Sequence, residues 1–457
     1  MLQILISLIS FFIAISILVF IHEYGHYIVA KKLGFKVLRF SIGFGKPIFS
    51  FIGKNPDCTE YVLSPIPLGG YVKLLDEREV NVDESELPRA FNRKPVFQRI
   101  CVLLAGPLFN FVFAVLAYFL IFSFGVPHLK PTIGFVEFDS IAYRSGMVID
   151  EEIVNVGNTP TPTLESATLA ILDEILSDGV IQITTLNKFG AFRNIVLDVR
   201  GLEKALTLPG ALFNGLGFIP GPVRPAILGE VIDNLPASNA GLQEYDKVLF
   251  IDEERINSFS DIVYNVQSRP NELVEVVVER NGENLVSSIE IGYSSNNGTP
   301  VGIIGVRENT DIVSDILSRS IVIESYNFFE SLSKSIFKTF QMSLMTLKMI
   351  GKMIMGDVSA SNISGPINIA VYAGDSAQGG LLSFINFLAL ISISLGVLNL
   401  LPIPMLDGGQ IVYQLVEAIK GSPISDKALI LSQQFGFFLI AIIISFAFYN
   451  DFVKLLS

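Results

Sequence analysis

Apolar positions in this chain gather in four long runs, and between the second and the third the pattern changes character. The runs cover 1–33, 97–124, 381–407 and 428–449. Each offers about the 20 residues that a bilayer-crossing helix needs, so four membrane helices are expected. Basic residues set their direction. Lys31, Lys32, Lys36 and Arg39 follow the first run, and Arg89, Arg93, Lys94 and Arg99 border the second. Cytoplasmic loops carry the excess of Lys and Arg, which puts segment 34–96 in the cytoplasm and the chain ends and middle region on the other side. No basic residue precedes the first apolar core and no small-residue cleavage site follows it, so a true span is expected there rather than a signal peptide.

The middle of the chain reads as two copies of one unit, at 127–220 and 221–309. Gly134-Phe135-Val136, Ser145-Gly146 and Glu151-Glu152-Ile153-Val154 are echoed by Gly229-Glu230-Val231, Ala240-Gly241 and Asp246-Lys247-Val248-Leu249. Each copy reads as strand, small-residue turn, glycine, acidic turn and apolar strand, then a helical stretch and further strands. Such a unit resembles a PDZ module, and the turn Asn234–Leu242 is the clearer match. The first copy has Asp150-Glu151 where Gly-Asp is expected. Thr132-Ile133-Gly134-Phe135 and Gly215-Leu216-Gly217-Phe218 each precede a copy. They read either as the loop that holds a peptide terminus by strand addition or as ordinary glycine-containing strand entries. Further on, within 320–358, Phe328, Phe329, Leu332, Ile336, Phe340, Leu344 and Leu347 recur at three- and four-residue steps among lysines. This predicts an amphipathic helix in the membrane interface or against the outer domain.

Composition narrows the classes. Half of the 457 residues are apolar and 17% are charged, too few charges for an ordinary soluble enzyme. A net charge of -12 argues against nucleic acid, which needs a basic face. Cys58 and Cys101 offer neither a zinc-ribbon spacing nor a disulfide framework.

The chemistry concentrates at His22-Glu23-Tyr24-Gly25-His26, at the end of the first apolar run. Residues four apart share a helix face, so both imidazoles can reach one metal ion, and Glu23 can hold a water against it as general base. A catalytic zinc takes three protein ligands and keeps a position for water. Of the two candidates for the third ligand, His128 follows Pro127 at the far end of the second run and fits a plain loop residue. Asp407 closes the third run on the same side as the histidines, where an ionisable residue is costly and functional by default. Pro402 and Pro404 interrupt that run just before it, and Asn399 offers an amide for a substrate backbone. Gly106 and Asn110 put two compact residues on one face of the second run, which reads as close helix packing.

His22–His26, a late Leu406-Asp407-Gly408 and the PDZ-like insertion together resemble the site-2 protease family of intramembrane zinc metalloproteases, in particular its bacterial regulator of sigma-E protease branch. The resemblance covers essentially the whole chain. It is strongest at Gly43-Phe44-Gly45, at Pro67-Leu68-Gly69-Gly70-Tyr71-Val72-Lys73, at Ala105–Asn110 and at Asn399–Gly409. It implies a polytopic α-helical membrane protein with four transmembrane helices, a membrane-associated β segment and two tandem PDZ-like α/β modules between helices two and three. It implies Zn2+ held by His22, His26 and Asp407, with Glu23 as catalytic base. Part of 34–96, including Gly70 and Tyr71, is then a membrane-entering β structure that pairs with an extended substrate. Asn399, Pro402 and Pro404 join it in substrate binding. The implied substrates are pre-trimmed single-pass membrane proteins, an anti-sigma factor or remnant signal peptides, cut in envelope stress signalling. The implied location is the bacterial inner membrane with the modules periplasmic, where they filter substrates by size. A membrane adaptor with a vestigial metal site and a metal transporter are the alternatives.

Overall fold

The computed structural model describes residues 2–54, 56–78, 82–296 and 299–456. Positions 55 and 79–81, which belong to the expected loop 34–96, lie outside the described residues. The chain divides into two compact units, one formed by 1–126, 325–351 and 363–456, the other chiefly by 127–324.

The first unit is a helical bundle with a small sheet. Its helices are α1 (Leu2–Lys32), α2 (Val96–Phe124), α3 (Phe328–Met355), α4 (Pro366–Gln378), α5 (Leu381–Leu400), α6 (Asp407–Lys420) and α7 (Asp426–Leu456). Among the described residues, α1, α2, α5 and α7 are the helices long and apolar enough to cross a membrane. Large apolar side chains stay exposed along them, such as Phe12, Leu116 and Phe438. That suits a helix whose solvent is lipid and would be a liability in water. Their shared cores use small and branched residues: Phe11, Ala14 and Leu18 of α1 meet Ala370 and Ala373 of α4 and Phe387 of α5. Ala114, Ala117 and Tyr118 of α2 meet Ala389, Ile393 and Val397 of α5.

Between α1 and α2 the chain forms β1 (Val37–Phe44), β2 (Phe49–Ile52), β3 (Glu60–Leu63) and β4 (Ile66–Leu74), in the order β2-β3-β1-β4. β1 runs parallel to β3 and antiparallel to β4, with Ser41 opposite Tyr71 and Ile42 opposite Gly70. β4 is thus an edge strand, and one face of it lies on α1. Gly70 shows how closely: a Cβ there would come within 2.6 Å of the Ser41 carbonyl and 2.8 Å of Glu23 Cγ.

α3 has two distinct faces. Its buried residues are Ser331, Ser335 and Thr339, while Phe329, Ile336, Phe337 and Phe340 point outward. The hydroxyls donate to nearby backbone carbonyls, Ser331 to Tyr326 just before the helix and Thr339 to Ser335 within it at 2.8 Å. Small residues let helices approach one another, and the bulky apolar face stays exposed. α4 was not evident in the apolar pattern. It rests on α1 at Gly374 and Ser7, and its N-terminus is capped from α7. The buried Asp451 accepts from the Gly365 and Ile367 amides at 2.8 Å each.

The second unit holds two modules of identical plan. The first has a sheet in the order 159–160, 152–156, 180–186, 192–198; the second repeats it as 254–255, 247–251, 273–280, 283–290. A two-stranded ladder accompanies each sheet: Ile133–Val136 with Phe218–Pro220, and Leu228–Val231 with Val306–Glu308. Each has one main helix, Leu164–Ser177 or Phe259–Gln267, opened by a capping box from Thr163 or Ser258. Leu216 and Phe218 belong to the first core. The Gly215–Phe218 segment therefore closes the first module and does not open the second. Its counterpart in the second module is Gly305-Val306, with Gly217 and Gly305 both left-handed at φ +80 and +81. Ile133–Phe135 lie in the first strand of the first ladder, and Thr132 forms a bridge with Glu152.

The same electrostatic clasp stabilises both copies. Arg280 Nη2 donates to the Gly241 carbonyl at 2.8 Å and to Asp246 at 2.7 Å. In the first module Arg193 donates to the Gly146 carbonyl at 2.6 Å and to Glu151 at 2.9 Å. Glu151 is thus a longer-armed equivalent of Asp246, not a lost feature. The paired Asp246 carboxylate holds the Arg280 guanidinium above its ordinary range. Asp246 is fully buried. Replacing it with Ala removes the acceptor of Arg280 and of the Gln243 amide and is expected to cost about 1–2 kcal/mol, read as faster amide hydrogen exchange confined to 226–304.

Candidate metal centre

Three helices of the first unit build the site. His22 and His26 stand one turn apart on α1, and Asp407 is the first residue of α6. α5 stops at Leu400, earlier than the third apolar run. Pro402 and Pro404 cannot donate to a helix ladder, so the chain turns through 401–406 before a new helix begins. Met405 takes the positive φ of that turn at +88, and Gly408 and Gly409 pack against the carbonyls of Leu400, Leu401 and Ile403. An aspartate at the start of α6 also suits the positive end of the helix dipole.

The three side chains converge. His22 Nε2 lies 3.2 Å from His26 Nε2 and 3.2 Å from Asp407 Oδ2, and His26 Nε2 lies 3.4 Å from the same oxygen. No hydrogen bond reaches Asp407 Oδ2, although it is buried. Three potential ligand atoms that lie this close to one another could hold a single cation. Zinc bonds of about 2.0–2.1 Å in a tetrahedron give ligand atoms about 3.3 Å apart, which is the spacing found here. The residues therefore fit a zinc ion, which they would hold with three ligands.

α2 runs along the histidine face. His26 Nδ1 donates to the Val102 carbonyl at 2.8 Å, which leaves Nε2 able to ligate a metal. Gly106 lies against both rings: a Cβ there would run into His26 Nε2 and come within 2.7 Å of His22 Cε1. Opposite it, a Cβ on Gly25 would meet the Ala105 carbonyl. Gly106 is thus more than a helix-packing glycine, because it leaves room for the metal-facing atoms. Nothing in a single sequence marks this, since the close partner lies far away along the chain.

Glu23 is buried beside the triad of His22, His26 and Asp407. Its Cγ faces Gly70 of β4. Of the other expected site residues, Tyr71 points to the opposite side of the strand, where its hydroxyl accepts from Arg39 Nη1 at 3.1 Å. Asn399 sits half-buried in the last turn of α5, and Pro402 is exposed. Pro404 abuts α7, where a Cβ on Gly436 would strike its carbonyl. His128 lies in the other unit, with Nδ1 3.8 Å from Glu165 Oε2. Among the described residues, His22, His26 and Asp407 are the group of side chains able to share a metal.

Membrane-length helices that carry H-E-x-x-H and converge with a distant aspartate define a membrane-embedded metalloprotease. The model of peptidase family M50 matches residues 10–443, and the chain belongs to that family. It is 36% identical to the regulator of sigma-E protease RseP of Escherichia coli K12, over 100% of both chains. It is 39% identical to a Neisseria meningitidis serogroup A protein that bears the name of a zinc metalloprotease, over 99% of this chain and 100% of the relative. A PDZ domain of an SdrC-like protein from Listeria monocytogenes covers 21% of the chain at 20% identity, with a TM-score of 0.18, too low to assign the modules.

Proposed function

We propose that this chain is an intramembrane zinc endopeptidase in which His22, His26 and Asp407 hold the metal and Glu23 is the catalytic base. The observation that carries this reading is the convergence of the three ligand atoms at 3.2–3.4 Å from helices α1 and α6, beside membrane-length helices. Zinc, when bound, acidifies a water and polarises the scissile carbonyl. Glu23 takes the proton from that water and later returns it to the leaving amine.

A transmembrane substrate hides its carbonyls in its own helical ladder, so a stretch must unwind and its freed backbone groups need partners within the membrane. β4 answers this need. Its outer edge lacks a neighbouring strand among the described residues, and Gly70 brings its backbone against Glu23. An extended substrate added there would lie beside the base. Tyr71 flanks this edge, and Asn399 with the turn of Pro402 and Pro404 would contact the substrate from α5.

The relatives' names speak of sigma-E regulation. By that analogy the substrates are pre-trimmed single-pass membrane proteins, an anti-sigma factor above all, with remnant signal peptides as a second class. The protein would sit in a bacterial inner membrane with 34–96 cytoplasmic. The two modules of the second unit would be PDZ-like and periplasmic, each placing a peptide beside the strand after Gly217 or Gly305.

Metal removal tests the reading. In proteoliposomes, a chelator should abolish cleavage of a helical transmembrane peptide, and zinc should restore it to the starting rate. A transporter would instead move zinc across the vesicle wall without cutting anything. An adaptor would bind the peptide equally well with and without metal. Cleavage that survives complete chelation would refute the proposal.

A further inference from the structure

The face that α2 presents to the metal-site histidines repeats every fourth residue: Val102, Gly106, Asn110. The first receives the His26 proton and the second leaves space. The third has an unassigned part. Asn110 is completely buried, and its carboxamide nitrogen lies 3.2 Å from His22 Nδ1. Its Oδ1 is also buried and has no hydrogen-bond partner. Its backbone carbonyl accepts from Ser392 Oγ of α5 at 2.9 Å, which fixes this turn of α2 in place.

The amide can face His22 in two ways, related by half a turn about Cβ–Cγ. With Nδ2 toward the ring, the amide donates to a bare Nδ1, and the imidazole proton sits on Nε2, facing Asp407. With Oδ1 toward the ring, the amide accepts from Nδ1–H, and Nε2 keeps its lone pair. Only the second arrangement suits ligation through Nε2, the atom that the triad spacing selects. A metal-bound imidazole needs an acceptor for its other N–H. Val102 does this for His26 with a backbone oxygen. For His22 the atom in reach is the side chain of Asn110.

We infer that Asn110 is a positioning residue: its Oδ1 accepts the His22 Nδ1 proton and so presents Nε2 to the metal. α2 then supplies the outer partner of both histidines, and α1 and α2 form the metal site together. This rests on the zinc reading above and deepens it.

The test uses the full-length protein in detergent and zinc alone, with affinity measured by competition against a chromophoric chelator. Asn110→Ala is expected to weaken zinc binding about 10- to 100-fold. Asn110→Asp keeps an acceptor and cannot donate, so it should bind zinc at least as tightly as the wild type. Ser392→Ala loosens the same turn without touching the amide and should leave zinc affinity unchanged. With all three histidines 15N-labelled, zinc-loaded wild type should show His22 protonated at Nδ1. Asn110→Asp that loses zinc as badly as Asn110→Ala would overturn the inference, because a donor or a packing role predicts that result. So would unchanged affinity in Asn110→Ala. A wild type that binds no zinc would instead remove the zinc reading itself.

Discussion

Glu23→Gln is expected to lower cleavage of a transmembrane peptide about a thousandfold or more while the purified protein keeps its full zinc content. Gln fills the same volume beside Gly70 and His22 but cannot accept a proton. His22, His26 and Asp407 are untouched, so the metal remains. The substitution thus separates proton transfer from metal retention, which chelation cannot do. The assay pairs single-turnover cleavage in proteoliposomes with metal analysis of the same preparation. A Gln variant that cuts within a few-fold of wild type would remove Glu23 from the mechanism. Loss of zinc along with activity would make Glu23 a support of the site. A PDZ-bearing adaptor predicts a third pattern, with peptide binding unchanged and no cleavage by either protein.

Local and periodic features were legible in the chain before its fold was known. The four-residue step from His22 to His26 is a property of any helix, and membrane-length apolar runs announce themselves. Asp407 could be singled out because an acid is costly at that depth. Its place at the start of α6 was not legible, because Pro402 and Pro404 are compatible with a kink as well as a stop. The three- and four-residue steps in α3 marked an apolar face but not what it meets, because periodicity reports spacing and not surroundings; in the structure Ser331, Ser335 and Thr339 take the inner side. α4 escaped notice because what holds it is distant: Ser7 on one side and Asp451, beyond its own sequence neighbourhood, at its start. Glu151 looked degenerate only while side-chain length was equated with role, since Arg193 reaches it as Arg280 reaches Asp246.

Adding one methyl group at Gly106 is expected to weaken metal binding severely and to abolish cleavage. The Cβ of Gly106→Ala would land on His26 Nε2 and lie 2.7 Å from the nearest carbons of both imidazoles. Those rings have little freedom to retreat, because His26 is tied to Val102 and His22 faces Asn110, both on the helix that carries the new methyl. Relief must come from parting α1 and α2 or from turning a ring away, and either change spreads the 3.2–3.4 Å triangle that fits zinc. Overpacking of this kind costs about 1–3 kcal/mol of stability, so the variant should still fold. Its zinc affinity should fall about 100-fold or more, with cleavage lost in step. Gly351→Ala is the matched control, since a Cβ there meets nothing within 4 Å. The contrast with Glu23→Gln is the sharpest reading of the site: one variant is inactive with its zinc, the other inactive without it. Wild-type zinc affinity in Gly106→Ala would mean that α2 does not face the histidines as described, and the metal centre would need other walls.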